Sequence, residues 1–136
     1  MLIDLLGDGE RAEAAEVSLR QALARGPVVV CDVVVSEVVS GLAKFGNGGG
    51  ALLSALEEAG IAYNAVASRA AVRAGEMQRR YKERRRRAGL PAAGDRMVPD
   101  LLIGAHALLQ CTALITRDAG FFRDYFKGLK VIVPKG

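Results

Sequence analysis

A short apolar run directly after a helix pattern is the feature that most constrains the fold. Residues 11–25 are rich in helix formers, with apolar positions at helical spacing, and Gly26 follows as a stop signal. Pro27 then opens the run Val28-Val29-Val30-Cys31, which is typical of a strand buried on both faces. Because such a strand needs helices on both faces of its sheet, the pattern favours an α/β fold.

The rest of the chain repeats this alternation. We predict a second helix from Asp32 or a neighbouring cap to about Phe45, although its many valines would also suit a strand. The further predicted elements are a glycine turn at 46–50, a helix at 51–59, a strand at 61–66, a long helix from an N-cap at Ser68 through the arginine run, a loop at 90–97, a helix at 100–110 opened by Pro99, a strand at 113–116, a helix at 119–125 and a strand at 130–133. This order predicts one domain over residues 1–136, a three-layer α/β/α sandwich with a mostly parallel central sheet.

Three acidic residues lie where an apolar run meets a polar turn or a helix start: Glu37, Asp100 and Asp118. In parallel α/β sheets the ligand site lies beyond the carboxyl ends of the strands, so the three carboxylates could converge there. Converging carboxylates repel one another, and a divalent cation such as Mg²⁺ or Mn²⁺ offsets that cost. The alternative is that each acid is a helix cap or a solvated charge.

The basic charge is concentrated in one segment. The net charge is +4, but residues 79–87 contain seven basic residues and one acid, Glu83. Without this segment, twelve basic residues face fourteen acids, a net charge of −2. The arginines at 84–87 could hold a nucleic-acid backbone or an acidic partner. They could equally form a solvated helix end, since no aromatic residue is interleaved among the four for base stacking.

The remaining features indicate a soluble cytoplasmic protein. Cys31 and Cys111 lie in apolar runs without a CxxC pattern, which is typical of buried free thiols in a reducing compartment. No segment reaches the roughly 18 apolar residues of a membrane-spanning helix, and the start of the chain lacks the basic region of a signal peptide. His106, the single histidine, lies about 240° around a helix from Asp100, so we expect it to be packed and not to bind metal.

Three motifs carry a resemblance to a known family. They are Val98-Pro99-Asp100-Leu-Leu-Ile-Gly104-Ala105-His106, Leu114-Ile115-Thr116-Arg117-Asp118 and, less specific because it is short, Val34-Val35-Ser36-Glu37-Val38. In these motifs the chain resembles the PIN-domain family, and within it the VapC-type toxins of bacterial toxin–antitoxin pairs. The resemblance covers almost the whole chain. It implies a metal-dependent endoribonuclease that cleaves RNA, forms a homodimer and is neutralised by a VapB-like antitoxin.

The resemblance also assigns roles to single residues. It implies that Glu37, Asp100 and Asp118 help to hold Mg²⁺ or Mn²⁺, which would lower the pKa of a bound water and stabilise charge on the scissile phosphodiester. Thr116 matches a hydroxyl residue that could orient a carboxylate, a water or the backbone. Arg117 either meets phosphate or extends into solvent. The run at 84–87 is a candidate to guide RNA.

The start of the chain departs from the family pattern. The family usually opens with an apolar strand that ends in an Asp, followed by Thr or Ser, Asn and a helix start. Residues 1–6 resemble that helix start, so the first strand is apparently absent, and we expect the natural protein to continue before Met1. Asp4 is a weaker candidate for the lost metal ligand. The missing acid also supports an alternative function, a catalytically impaired PIN-fold remnant or binding module.

Overall fold

The order of helices and strands confirms the α/β class. A computed structural model describes residues 10–42, 50–92, 94 and 96–135. The described elements, in chain order, are α1 (Ala12–Arg25), β1 (Val28–Val30), α2 (Asp32–Gly41), α3 (Gly50–Glu58), β2 (Ile61–Tyr63), α4 (Ser68–Arg87), α5 (Pro99–Gln110), β3 (Leu114–Ile115), α6 (Ala119–Tyr125) and β4 (Val131–Ile132).

The chain divides into two compact units. Unit 1 comprises the described residues of Met1–Ala65 together with Ile115–Arg117 and Ile132–Gly136. Unit 2 comprises Val66–Leu114 and Asp118–Val131. The single domain over residues 1–136 and its three layers stay predictions.

In unit 1 a parallel strand pair is joined through helices. β1 and β2 run parallel, with Val28 opposite Ile61 and Val30 opposite Tyr63, and the backbone N–H of Asn64 extends the ladder to the Val30 carbonyl at 2.9 Å. A parallel connection needs a crossover, and α2 and α3 lie in this connection. The buried core of the unit is built from aliphatic side chains: Leu19, Val30, Val38, Leu52, Leu56 and Ile61.

Unit 2 is organised around the contact between α4 and α5. Its buried core consists of Ala70, Ala74, Met77, Leu101, Ala105, Ala107, Phe122, Phe126 and Leu129. Alanines on both helices let the two backbones approach closely. At one end of the pair, Arg69 Nη2 donates to the Leu109 carbonyl at 3.1 Å, which satisfies a carbonyl of the last turn of α5.

The strands form two pairs in the described part of the chain. β1 pairs with β2, and β3 pairs with β4. In the second pair Leu114 N–H donates to Lys130 O at 2.9 Å and Thr116 N–H donates to Ile132 O at 3.0 Å. Both partners advance by two residues, which is the parallel pattern. The predicted parallel pairing is therefore present, in two-stranded sheets.

Several predicted boundaries and caps were wrong in detail. α2 ends at Gly41 and not near Phe45. Its N-cap is Cys31, which agrees with the prediction of a cap at Asp32 or a neighbour. The helix at Asp32 confirms that its valines follow helical and not strand geometry. Ser68 is the first residue of α4, whose N-cap is Ala67 with no side-chain hydrogen bond. Each strand is shorter than predicted by one to three residues.

Some predictions fall outside the described residues. These are the helix start and Asp4 at the beginning of the chain, and the glycine turn except for Gly50, which begins α3. Within the described ranges, no helix is long and apolar enough to cross a membrane.

Gly104 allows α5 to lie directly against an aromatic side chain. A methyl group added at Gly104 would stand 2.8 Å or less from three ring carbons of Phe126, which is itself only 2% exposed. Two core atoms cannot approach this closely without a shift of the backbone or of the ring. The glycine is therefore required by packing.

We expect Gly104→Ala to lower the free energy of unfolding by about 1–3 kcal/mol, because it overpacks the core of unit 2. Gly75→Ala is the matched control, since Gly75 lies in α4 and its added methyl would meet nothing within 4 Å. The control should raise the free energy of unfolding by up to about 1 kcal/mol through helix propensity. Urea denaturation of both variants measures the difference. Equal changes in the free energy of unfolding of the two variants would show that the contact between Gly104 and Phe126 does not restrict the size of the side chain.

Candidate active site

Asp100 is placed by the start of α5. Pro99 occupies the first turn, where its missing N–H costs no hydrogen bond, and Asp100 follows it. The carboxyl group is half-buried. Loss of hydration on burial raises its pKa above the ordinary value, and the negative charge of Asp118 raises the pKa further.

Asp118 is the second carboxylate of this site. It occupies the N-cap position of α6, three residues after β3 ends, yet its side chain makes no capping hydrogen bond. The side chain is exposed. A capping hydrogen bond therefore does not account for this acid. Both acids belong to unit 2, and after burial the charge of Asp118 is the second cause that raises the pKa of Asp100.

The pair fits a hard divalent cation. Mg²⁺ is usually held by one or two carboxylates together with substrate phosphates and water, and Mn²⁺ also prefers oxygen ligands. Asp100 and Asp118 supply oxygen donors whose mutual repulsion a cation would relieve. Among the residues that the structure describes, no group of three or more His, Cys, Asp or Glu side chains is arranged to hold a metal ion.

Three further predicted site residues, Glu37, Thr116 and Arg117, lie in unit 1. Glu37 is an exposed side chain on α2, and Thr116 follows β3 with its backbone N–H on Ile132 O. Arg117 does not extend freely into solvent, because it is half-buried and its Nη2 atom is buried. Asp4 lies outside the described residues. The participation of these four residues in the site stays a prediction.

The arginine run ends α4 and divides into two pairs. Arg86 and Arg87 both bind the carboxylate of Glu83, with Arg86 Nε at 3.1 Å from Oε2 and Arg87 Nε at 3.1 Å from Oε1. The Arg86 hydrogen bond is the main reason that the pKa of Glu83 is lowered. Arg84 and Arg85 instead lie over aromatic rings, and Arg85 Nε also donates to the Pro91 carbonyl at 3.0 Å.

Two tyrosines beside these arginines were missed in the sequence. Arg84 Cζ lies 4.5 Å from the ring centroid of Tyr125, and Arg85 Cζ lies 5.7 Å from that of Tyr81. The centroids of the two tyrosine rings are 6.0 Å apart. Tyr81 was recognisable, because residues three and four positions apart share a helix face. Tyr125 was not, because it comes from α6, far along the chain.

Comparison with known families decides the classification. The chain matches the PIN domain family over residues 1–127. The chain belongs to the PIN domain family. A search of curated proteins found no match. PIN domains are typically metal-dependent nucleases, and the acid pair of unit 2 agrees with that chemistry.

His106 and the two cysteines take no part in the acid pair of this PIN domain. His106 is 5% exposed, and its Nδ1 atom lies 3.9 Å from Cys111 Sγ. Both cysteines are free thiols, and burial raises the pKa of Cys31, which keeps the thiol protonated. The packing of His106 and the burial of Cys31 agree with the sequence predictions, whereas Cys111 is only partly buried.

The pH dependence of the free energy of unfolding should reveal the cost of ionising Asp100. A carboxyl group whose folded pKa is raised lowers stability once it ionises, because the folded state holds its proton more tightly than the unfolded state does. The penalty is absent below the unfolded pKa of about 3.9, grows as the pH rises and is complete above the raised folded pKa. We therefore expect Asp100→Asn to raise the free energy of unfolding at neutral pH and to bring no such gain in acid.

Urea unfolding of wild type and variant across this pH range measures the effect. Asp124→Asn removes an exposed carboxyl from α6 and should change stability by less than about 0.5 kcal/mol at every pH. An Asp100→Asn protein that gains nothing at neutral pH would contradict the argument.

Proposed function

We propose that this PIN domain is a Mg²⁺- or Mn²⁺-dependent endoribonuclease, the toxin of a VapBC-like toxin–antitoxin pair. The observation that carries the proposal is the pair Asp100 and Asp118, in which the charge of one residue raises the pKa of the other. A protein gains nothing in stability from two neighbouring carboxylates. Binding of a catalytic cation would account for the presence of both carboxylates.

In this proposal Asp100 and Asp118 hold the cation, and Glu37 completes the set of acids. When bound, the cation would supply positive charge to the phosphodiester and make a water molecule more acidic. The half-burial of Asp100 limits competition from solvent, and the exposed side of Asp118 leaves room for the RNA phosphate. Thr116 would orient a carboxylate or a water from outside the ligand set.

The arginine run would hold the RNA on the same unit as the acid pair. Arg84 and Arg85 are the better candidates, because Arg86 and Arg87 are already paired with Glu83. A guanidinium stacked on a tyrosine ring keeps its N–H donors available at its edge for phosphate. Arg117 is an additional, weaker candidate for phosphate contact.

The partners of the proposed toxin follow from its chemistry. A basic residue from a VapB-like antitoxin could neutralise the acid pair in place of the cation.

Homodimerisation is supported by the exposed Leu53 and Tyr63 of unit 1, which are 52% and 56% exposed. The free thiols support a reducing, cytoplasmic setting. Growth arrest on expression, relieved by the product of a neighbouring small gene, tests the toxin role, and light scattering tests the dimer.

The alternative is a PIN-fold binding module that no longer cleaves. It is favoured by the finding that the described residues bring together two carboxylates and no larger group. Such a module would bind RNA equally well in Mn²⁺ and in EDTA. Calorimetric titration with Mn²⁺ separates the two functions, because only the nuclease should lose cation binding in Asp100→Asn.

We expect wild-type protein to cleave RNA in Mg²⁺ or Mn²⁺ and to be inactive in EDTA. Asp100→Asn and Asp118→Asn should each lower the cleavage rate at least about 100-fold, because several kcal/mol of charge stabilisation would be lost. Single-turnover cleavage of a labelled RNA measures the rate. Asp124→Asn is the control and should cleave at the wild-type rate. Equal rates for Asp100→Asn and the control would refute the nuclease proposal.

A second expectation concerns the arginine run. The double variant Arg84→Gln, Arg85→Gln should bind RNA more weakly in EDTA, and the slope of log K against log salt should fall by about 0.7 for each lost phosphate contact. Arg20→Gln is the matched control, because Arg20 is an exposed helix arginine that pairs with Glu16. Fluorescence anisotropy across a salt series measures both. An unchanged slope in the double variant would exclude these arginines from the RNA surface.

A further inference from the structure

Gln78 is a buried polar residue that the proposed reaction does not use. It lies on α4 and is 7% exposed. Its Nε2 atom donates to the Arg96 carbonyl at 3.1 Å, and its Oε1 atom accepts the backbone N–H of Val98 at 3.1 Å. Both ends of the carboxamide therefore bind the same short backbone segment.

This segment leads directly into the first turn of α5. Val98 is the N-cap residue, and as an apolar residue it has no side chain that could cap the helix. Its carbonyl accepts the N–H of Leu101 at 3.0 Å, which closes the first turn around Asp100. The carboxamide of Gln78 thus fixes, from a neighbouring helix, the backbone position from which Asp100 extends.

Asp100 needs such a restraint more than an ordinary helix residue does. The carboxylate of Asp118 repels it, and solvent screens the repulsion only in part because Asp100 is half-buried. A first turn that could move would relieve the repulsion by carrying Asp100 away from Asp118. The two carboxylates would then no longer share a cation.

We propose that Gln78 is a positioning residue, whose two backbone hydrogen bonds hold the start of α5 so that Asp100 stays beside Asp118 for divalent-cation binding. The inference rests on the proposed function for the presence of the cation. It goes beyond that function in assigning part of the cation affinity to a residue of α4 whose two hydrogen bonds go to backbone groups and to neither carboxylate.

The chain offers a closely matched control for a purely structural role. At the opposite end of the same helix pair, Gln110 Oε1 accepts the backbone N–H of Ala67 at 2.8 Å. Both glutamines thus use a carboxamide to join α5 to the chain at α4, but Gln110 lies at the end of α5 remote from Asp100. Loss of either carboxamide affects packing, whereas loss of Gln78 alone should affect the acid pair.

The test compares Gln78→Met with Gln110→Met in the full chain, since methionine keeps the length of glutamine and removes its hydrogen bonds. Titration with Mn²⁺ alone should show a Kd at least about tenfold higher in Gln78→Met and unchanged in Gln110→Met. Amide hydrogen exchange without metal should become faster at Asp100 and Leu101 in Gln78→Met only. Gln78→Asn, which keeps a shorter carboxamide, should give a smaller change and serves if Gln78→Met does not fold.

The outcomes separate the two proposals. A wild-type protein that binds no Mn²⁺ overturns the proposed function. Wild-type binding with a Kd that stays within about twofold in the folded Gln78 variants overturns the positioning role, as does equal weakening in Gln110→Met. Unchanged exchange at Asp100 and Leu101 overturns the positioning role whether or not metal binds.

Discussion

The close contact between α5 and the Phe126 ring is the constraint on which unit 2 depends. Gly104 presents no side chain, so the ring lies directly on the helix and joins the core formed by α4, α5 and α6. This packing holds together two helices that begin with the acids Asp100 and Asp118. Hydrophobic burial in this core thus offsets the repulsion between the charges of Asp100 and Asp118.

Polar contacts between side chains and backbone groups add to this hydrophobic packing. Gln78 and Gln110 join the two ends of α5 to the neighbouring chain through carboxamides that bind backbone groups. At the end of α4 the arginines are divided by their surroundings, with two bound to Glu83 and two over tyrosine rings. Four consecutive, chemically identical residues therefore have different contacts.

Local boundaries were the least predictable part of the fold. Ser68 and Asp32 are favourable N-cap types, yet both lie one position inside their helices, after Ala67 and Cys31. Propensity contributes only about 1 kcal/mol at a cap, and packing of the whole helix easily exceeds this. The strand predicted at 61–66 is likewise longer than β2, because strand length depends on pairing with Val28–Val30.

The sequence by itself determined the alternation of helices and strands, the membership in the PIN domain family and the three candidate acids. These depend on hydrophobic periodicity and short motifs, which act within one element at a time. Only the tertiary structure decided that Asp118 perturbs Asp100, that Tyr125 underlies Arg84 and that Gln78 holds the start of α5. Each of these contacts joins residues from different elements, and no local pattern in the chain encodes which distant backbone group or ring a side chain will meet.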